Sequence, residues 1–400
     1  MRRTQPTLFE LEPPDGEINP WARGSPVEES GYVWKGEPVV FEREKTLPKS
    51  GLFAVELFCG CGGTSAGLEM AGMICAVGCD LLEPAIQTYR SAHPRAAAIL
   101  GDVRTVDPEK IIELLDGRNV DVLVGGFPCQ GFSLNNRKRH DEDPRNRLFE
   151  HFVRFAKALK PRAVLAENVS SIRSAGAGTV VKSILTGLSD AIEADVQARV
   201  FNAADFGVPQ TRRRMIFMGV RGQSSPIAAV ERTHGEGRLP WVSVGEAISD
   251  LPRLGSGRSS TEYTSAPKNE FQRLMRAESD GVLLNHEAPD HPPETIERIR
   301  STKPGQPMYA AFKQRIRLHP DRPSPTQVSG GTRPQFQFGH PSDPRGLTIR
   351  ERARMQSIPD HVKFAGGLVQ GRVQTGNAVP PLMARALGKV LVRALKSSRK

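Results

Sequence analysis

The 400-residue chain has no apolar run long enough to span a bilayer, and its basic start, Met1-Arg2-Arg3, is not followed by the apolar stretch of a secretory signal. A cytoplasmic protein is expected. Cysteine is scarce, and five residues imply no disulfide framework and fit a reducing compartment. Acidic charge is short at one end only: residues 321–400 hold 14 Lys or Arg against 4 Asp or Glu, whereas residues 1–50 hold 7 against 9. Most of the net charge of +11 is therefore C-terminal. A polyanion is the expected partner, with a generally basic solvated face as the alternative.

What is present is ordinary for a soluble protein: 38% hydrophobic and 25% charged residues, enough chain for one large or two modest domains. Residues 1–50 are rich in Pro, Glu and Gly without a period, so an extension, largely disordered, is expected, with Trp21, Tyr32 and Trp34 as candidate anchors. From Leu52 the texture becomes strand, turn and helix in repetition. Leu52–Leu57 reads as a strand and runs into Phe58-Cys59-Gly60-Cys61-Gly62-Gly63, after which Leu68 and Met70 continue a helical pattern. Such a glycine turn lets a ligand approach the backbone and meet a helix N-terminus. A strand from Ile74 ends at Asp80, about twenty residues after the turn, where an acid can accept bonds from ribose hydroxyls. A third strand ends in Gly101-Asp102, and two acids at successive strand ends suggest an adenosine pocket. The third glycine of a dinucleotide fingerprint is replaced by Ser65, which argues against a dehydrogenase. Cys59, Cys61, Cys75 and Cys79 lack the spacing of metal knuckles and read as small packing residues, so no metal site is expected.

Val120–Val124 is short, β-branched and apolar, like a strand covered on both faces, and it delivers Gly125-Gly126-Phe127-Pro128-Cys129-Gln130 to the ligand edge of the sheet. Cys129 in that turn reads either as a buried thiol or as a nucleophile. A charged loop, Arg137 to Asp143, is expected beside the crevice. The strand Ala163–Ala166 then presents Glu167 at the same edge, and Gln210 to Arg214 enters another strand. One of those three arginines must point inward, where it needs an anion or a carbonyl.

Taken together these segments resemble bacterial DNA (cytosine-5)-methyltransferases. The matching stretches are Phe53 to Gly67, Asp80, Gly101-Asp102, Gly126 to Gln130, Glu167-Asn168-Val169, Gln210 to Arg214, Leu347 to Gln356 and Gly376 to Pro381. The resemblance implies an α/β fold, a Rossmann-like S-adenosylmethionine-dependent methyltransferase sheet with helices on both faces, plus a smaller irregular target-recognition domain. It implies Cys129 as nucleophile, Glu167 as the acid at the target base, and Arg212 and Arg214 facing the cytosine pocket. Phe58, Gly60, Gly62, Asp80, Asp102, Pro128 and Asn377 would bind the cofactor, Asp80 standing where some members have glutamate. Thr326 and Arg322 are candidate DNA contacts. The implied division is an extension (1–50), a catalytic and cofactor-binding domain (51–221), a target-recognition domain (222–344) and a C-terminal segment (345–400). That last segment returns to the first domain through a helix, Leu382 to Leu395, packed on the opening strand.

The implied activity is methyl transfer from S-adenosylmethionine to carbon 5 of a flipped cytosine in double-stranded DNA, by a monomer associated with the nucleoid. The enzyme would act beside a restriction endonuclease sharing its site, or alone. A DNA-binding regulator without turnover and a transfer-RNA methyltransferase are the alternatives. The presence of both Cys129 and Glu167 speaks against the first, and the long variable region against the second.

Overall fold

The computed structural model describes residues 34–128, 148–329 and 336–397. Cys129, Trp21, Tyr32 and the loop Arg137 to Asp143 lie outside the described residues. The strands of the first half are β1 (Val39–Phe41), β2 (Phe53–Leu57), β3 (Ile74–Asp80), β4 (Ala97–Leu100), β5 (Val122–Gly125), β6 (Ala163–Val169), β7 (Gln197–Asn202), β8 (Gln210–Thr211) and β9 (Arg213–Val220). All but β8 form one eight-stranded sheet in the order β1-β4-β3-β2-β5-β6-β9-β7. β4, β3, β2, β5 and β6 run parallel, while β1 and β9 are antiparallel to their neighbours.

Alternation along the strands explains the two packed faces. Phe53, Val55 and Leu57 of β2, Leu123 of β5 and Phe217 of β9 share one core. Ala54, Val122, Val124, Ile216 and Met218 share the other. The helices are α1 (Gly63–Met70), α2 (Glu83–Ala92), α3 (Pro108–Leu114), α4 (Leu148–Leu159), α5 (Thr179–Ile192), α6 (Val244–Ile248), α7 (Glu270–Arg276), α8 (Pro293–Ser301), α9 (Ile349–Met355), α10 (Leu368–Asn377) and α11 (Pro381–Ser397). α4 and α5 cover the first core with Phe152, Phe155, Ile184 and Leu188. The strand order reverses between β2 and β5, and the crevice at such a point is where open α/β sheets bind ligands.

The structure adds detail at three places. The extension is shorter than 1–50, because β1 pairs with β4 as an edge strand, Val39 opposite Leu100, and buries Phe41. The C-terminal helix shares a core with Leu52 and Ala54 of the opening strand and lies on α1. Gly67 and Gly388 make that contact close: a Cβ on Gly67 would stand 2.4 Å from the carbonyl oxygen of Pro381, and one on Gly388 2.9 Å from Cβ of Ala71. Finally, the variable region does not stand on a core wholly its own. Val244, Phe271, Leu318 and Phe338 join the cluster that contains Ile216 and Leu387, while Ile299, Met308 and Phe336 form a small separate one. Three further short strands, β10 (Ile316–Arg317), β11 (Ser324–Pro325) and β12 (Phe338–Gly339), stitch this region together, and β11 pairs with β8 beside the main sheet.

Candidate active site

At the end of β2 the backbone turns left-handed: φ is +57° at Phe58, +52° at Gly60 and +84° at Gly62. Phe58 bears strain of about 1 kcal/mol for that conformation. Gly62 could be no other residue, because a Cβ there would stand 2.2 Å from Nε2 of His93. The N–H of Gly60 donates to Asp80 Oδ2 and that of Leu82 to Oδ1, both at 2.8 Å. Asp80 therefore ties the glycine turn to the start of α2, and burial pushes its carboxyl up. Each of its oxygens keeps a second lone pair, so hydroxyl groups can still be accepted. Asp102 is held differently, by the guanidinium of Arg104 through Nε at 2.8 Å and by that residue's N–H at 2.9 Å. Asn377 ends α10 with an exposed side chain, and the chain after it presses on the glycine turn: a Cβ on Gly63 would meet the Val379 carbonyl oxygen at 2.3 Å. The distant C-terminal segment thus reaches the glycine turn, and the left-handed aromatic turn with its strand-end acid fits an adenosyl cofactor.

Sequence reading passed over what lies beneath this turn. Glu56 is buried in β2, accepts from the N–H of Ser65 at 3.0 Å and its hydroxyl at 2.5 Å, and is pushed up by burial to about 7. Ser65 Oγ also meets Tyr89 Oη at 3.0 Å. His93 bridges the Gly62 carbonyl (3.1 Å) and Glu69 (2.8 Å). The available signal was a lone acid inside an otherwise apolar strand.

At the other end of the crevice, Glu167 on β6 is paired with Arg214 on β9, Oε1 to Nε 2.6 Å. Burial draws the Arg214 guanidinium down, against the pull of Glu167. Asn168 donates through Nδ2 to the carbonyl of Phe127 at 3.0 Å, and Phe127 packs against Phe149 and Phe152. The approach to Cys129 is fixed in this way up to half-buried Pro128. A Cβ on Gly126 would lie 3.1 Å from Glu167 Oε2, so the carboxyl stands against the base of that turn.

Arg212 is the inward arginine, 2% exposed, and its partners are carbonyls: Gln327 at 3.1 Å and Gly376 at 3.0 Å. Burial, then the charge of Arg214, pull it well below the ordinary guanidinium range. Arg213 is exposed. Thr326 is half-buried and its hydroxyl donates to the Thr211 carbonyl at 2.8 Å, whereas Arg322 exposes its side chain and accepts the Val244 N–H at 2.9 Å on its carbonyl.

The C-terminal arginines do not all face solvent as their charge suggested. Arg345, Arg350, Arg352 and Arg354 are buried. Arg354 binds both oxygens of Asp360 at 2.6 Å and reaches Asp250 at 3.2 Å, and Arg345 forks onto Glu351 at 2.8 Å. Fixed guanidinium forks suit such joints between segments, so much of this charge cements α9 to the variable region.

Residues 53–393 match the family of C-5 cytosine-specific DNA methylases. The chain belongs to this family. It is 32% identical over 351 residues to type II methyltransferase M1.HphI of Haemophilus parahaemolyticus, covering 85% of this chain and 86% of that protein. It is 35% identical over 377 residues to type II methyltransferase M.DdeI of Desulfomicrobium norvegicum, covering 84% and 87%. Among solved structures, a candidate DNA modification methyltransferase encoded within a prophage (E. coli) superposes with a TM-score of 0.71 at 25% identity, over 86% of this chain and 99% of that one. The chain is thus an S-adenosylmethionine-dependent DNA cytosine-5 methyltransferase.

Proposed function

We propose that Cys129 is the nucleophile of this methyltransferase, that Glu167 engages the target cytosine, and that Arg212 and Arg214 face the cytosine pocket, Arg214 orienting Glu167 and Arg212 anchoring the Gln327 and Gly376 segments. The observation carrying this reading is the Glu167–Arg214 pair set against Gly126, with Asn168 gripping the Phe127 carbonyl two residues before the thiol. Phe58, Gly60, Gly62, Asp80, Asp102, Pro128 and Asn377 would hold the cofactor. Asp80 accepts ribose hydroxyls, and Asp102 shares its carboxylate between Arg104 and the adenine amino group. Bound S-adenosylmethionine supplies an electrophilic methyl group.

Carbon 5 of cytosine is a poor nucleophile, and the protein's residues correct this. The target base leaves the duplex stack to reach the pocket. The Cys129 thiolate adds to carbon 6, forming an S–C bond, while Glu167 hydrogen-bonds or protonates N3 and so draws the displaced charge away from the attacked ring. Carbon 5 becomes enamine-like and would take the methyl group as its bond to the sulfonium sulfur breaks, with S-adenosylhomocysteine as the leaving group. Loss of the carbon 5 proton returns the electron pair to the ring, the S–C bond breaks, and 5-methylcytosine leaves with the thiolate restored. Thr326 and Arg322 face the duplex from the segment that β11 ties to β8. The names of the type II relatives support a modification role beside a restriction endonuclease with the same recognition site.

Duplex DNA carrying 5-fluorocytosine, which lacks the proton to be lost, tests the assignment. The wild type is expected to form an adduct that survives denaturation, and Cys129→Ser none. A Cys129→Ser protein that still trapped DNA would exclude Cys129 as nucleophile.

A further inference from the structure

The segment just before the family match crosses the rim of the proposed cofactor pocket. β1 runs antiparallel to β4, so the chain preceding Val39 continues beyond the C-terminal end of β4, where Gly101 and Asp102 stand. Pro38 covers Gly101 so closely that a Cβ there would lie 3.0 Å from Cβ of Pro38. The chain then reaches the end of β3, where the N–H of Trp34 donates to the carbonyl of Leu81 at 3.0 Å. Leu81 sits between Asp80 and Leu82, whose N–H holds Asp80 Oδ1. One strap therefore touches both strand ends that carry the pocket's acids.

The Trp34 ring anchors this strap. It packs with Val39 against Phe41, Ile86, Tyr89 and Leu100. It also lies over Gly36, where a Cβ would stand 2.8 Å from ring atom Cζ2, and its Nε1 donates to the Glu37 carbonyl at 2.8 Å. A glycine at 36 is what lets the indole fold back onto its own strap.

We infer that residues 34–41 complete the adenosine end of the S-adenosylmethionine site, with Trp34 as the positioning residue that holds the Asp80–Leu82 turn in binding geometry. The inference rests on the cofactor pocket proposed above. The indole acts by keeping the turn preorganised, so its loss weakens cofactor binding without altering the reacting groups.

The test is calorimetric titration of the full-length enzyme with S-adenosylhomocysteine, alongside kinetics at saturating cofactor. Trp34→Ala is expected to weaken binding by about tenfold or more, with kcat and the KM for DNA within about twofold of wild type. Trp34→Phe, which keeps a ring, restores most of the affinity. Trp34→Ala binding within about twofold of wild type overturns the inference. Asp80→Ala is run in parallel: if it loses affinity while Trp34→Ala does not, the strap alone fails, and if neither does, the pocket assignment fails. A second readout survives a poorly folding Trp34→Ala. In a Trp21→Phe, Trp241→Phe background, Trp34 emission should change with the same saturation curve as the heat, and emission unchanged at saturating ligand overturns the inference.

Discussion

The two ends of the crevice are built by opposite means. The proposed cofactor end is mostly backbone: a left-handed turn at Phe58 to Gly62 and N–H groups aimed at Asp80, all between Phe58 and Leu82. The proposed catalytic end joins charged side chains from separate segments, Glu167 on β6 and Arg212 and Arg214 around β9, to the backbone carbonyls of Gln327 and Gly376. A backbone site tolerates change in most side chains but not in its glycines. A side-chain site instead depends on a few long-range contacts, and loses geometry when one is cut.

Arg212→Ala should show the largest effect. It strands the Gln327 and Gly376 carbonyls and leaves a cavity, for a loss of about 3 kcal/mol or more. Chemical denaturation measures this, and activity should fall with it because the segments bearing Thr326 and Asn377 lose their common anchor. Arg214→Ala should act more narrowly. It unpairs Glu167 and is expected to cut the single-turnover rate by about a hundredfold, while calorimetric cofactor affinity stays unchanged. A large fall in affinity would erase the proposed division between the two ends.

Glu56→Gln gives the smallest effect and reports on the cofactor end. The folded carboxyl titrates near 7, raised by burial from its ordinary range near 4.5. The folded state therefore binds a proton more tightly than the unfolded state. The stability this confers is complete below pH 4.5, and declines as pH rises through 7. Glutamine does not titrate, so the stability of Glu56→Gln relative to wild type should rise between pH 5 and pH 8, by at most about 3 kcal/mol. Denaturation curves at several pH values check the sign, and a flat difference would mean that Glu56 is already ionised.

The glycine turn and the acids at the strand ends were legible in the sequence because their information is local. Glycines followed by a helix pattern, and acids closing apolar runs, mark turns and strand ends without reference to the rest of the chain. The strands from Ile74 and Ala163 were readable for the same reason, each an apolar segment bounded by turn residues. The inward arginine among Arg212 to Arg214 was expected to need an anion or a carbonyl, and its structural partners are carbonyls. Which carbonyls could not be read, since Gln327 and Gly376 stand more than a hundred residues away.

The sequence by itself determined the alternation of strands and helices, the positions of the turns and the set of chemical groups at the sheet edge. These follow from residue spacing and backbone sterics. Tertiary structure alone decided that Glu56 is a buried acid, that Arg345, Arg350, Arg352 and Arg354 are buried as joints between segments, and that Trp34 packs beside the ends of β3 and β4. Each depends on what a distant segment places beside the side chain, because burial and neighbouring charge set whether a group is solvated, paired or raised in pKa.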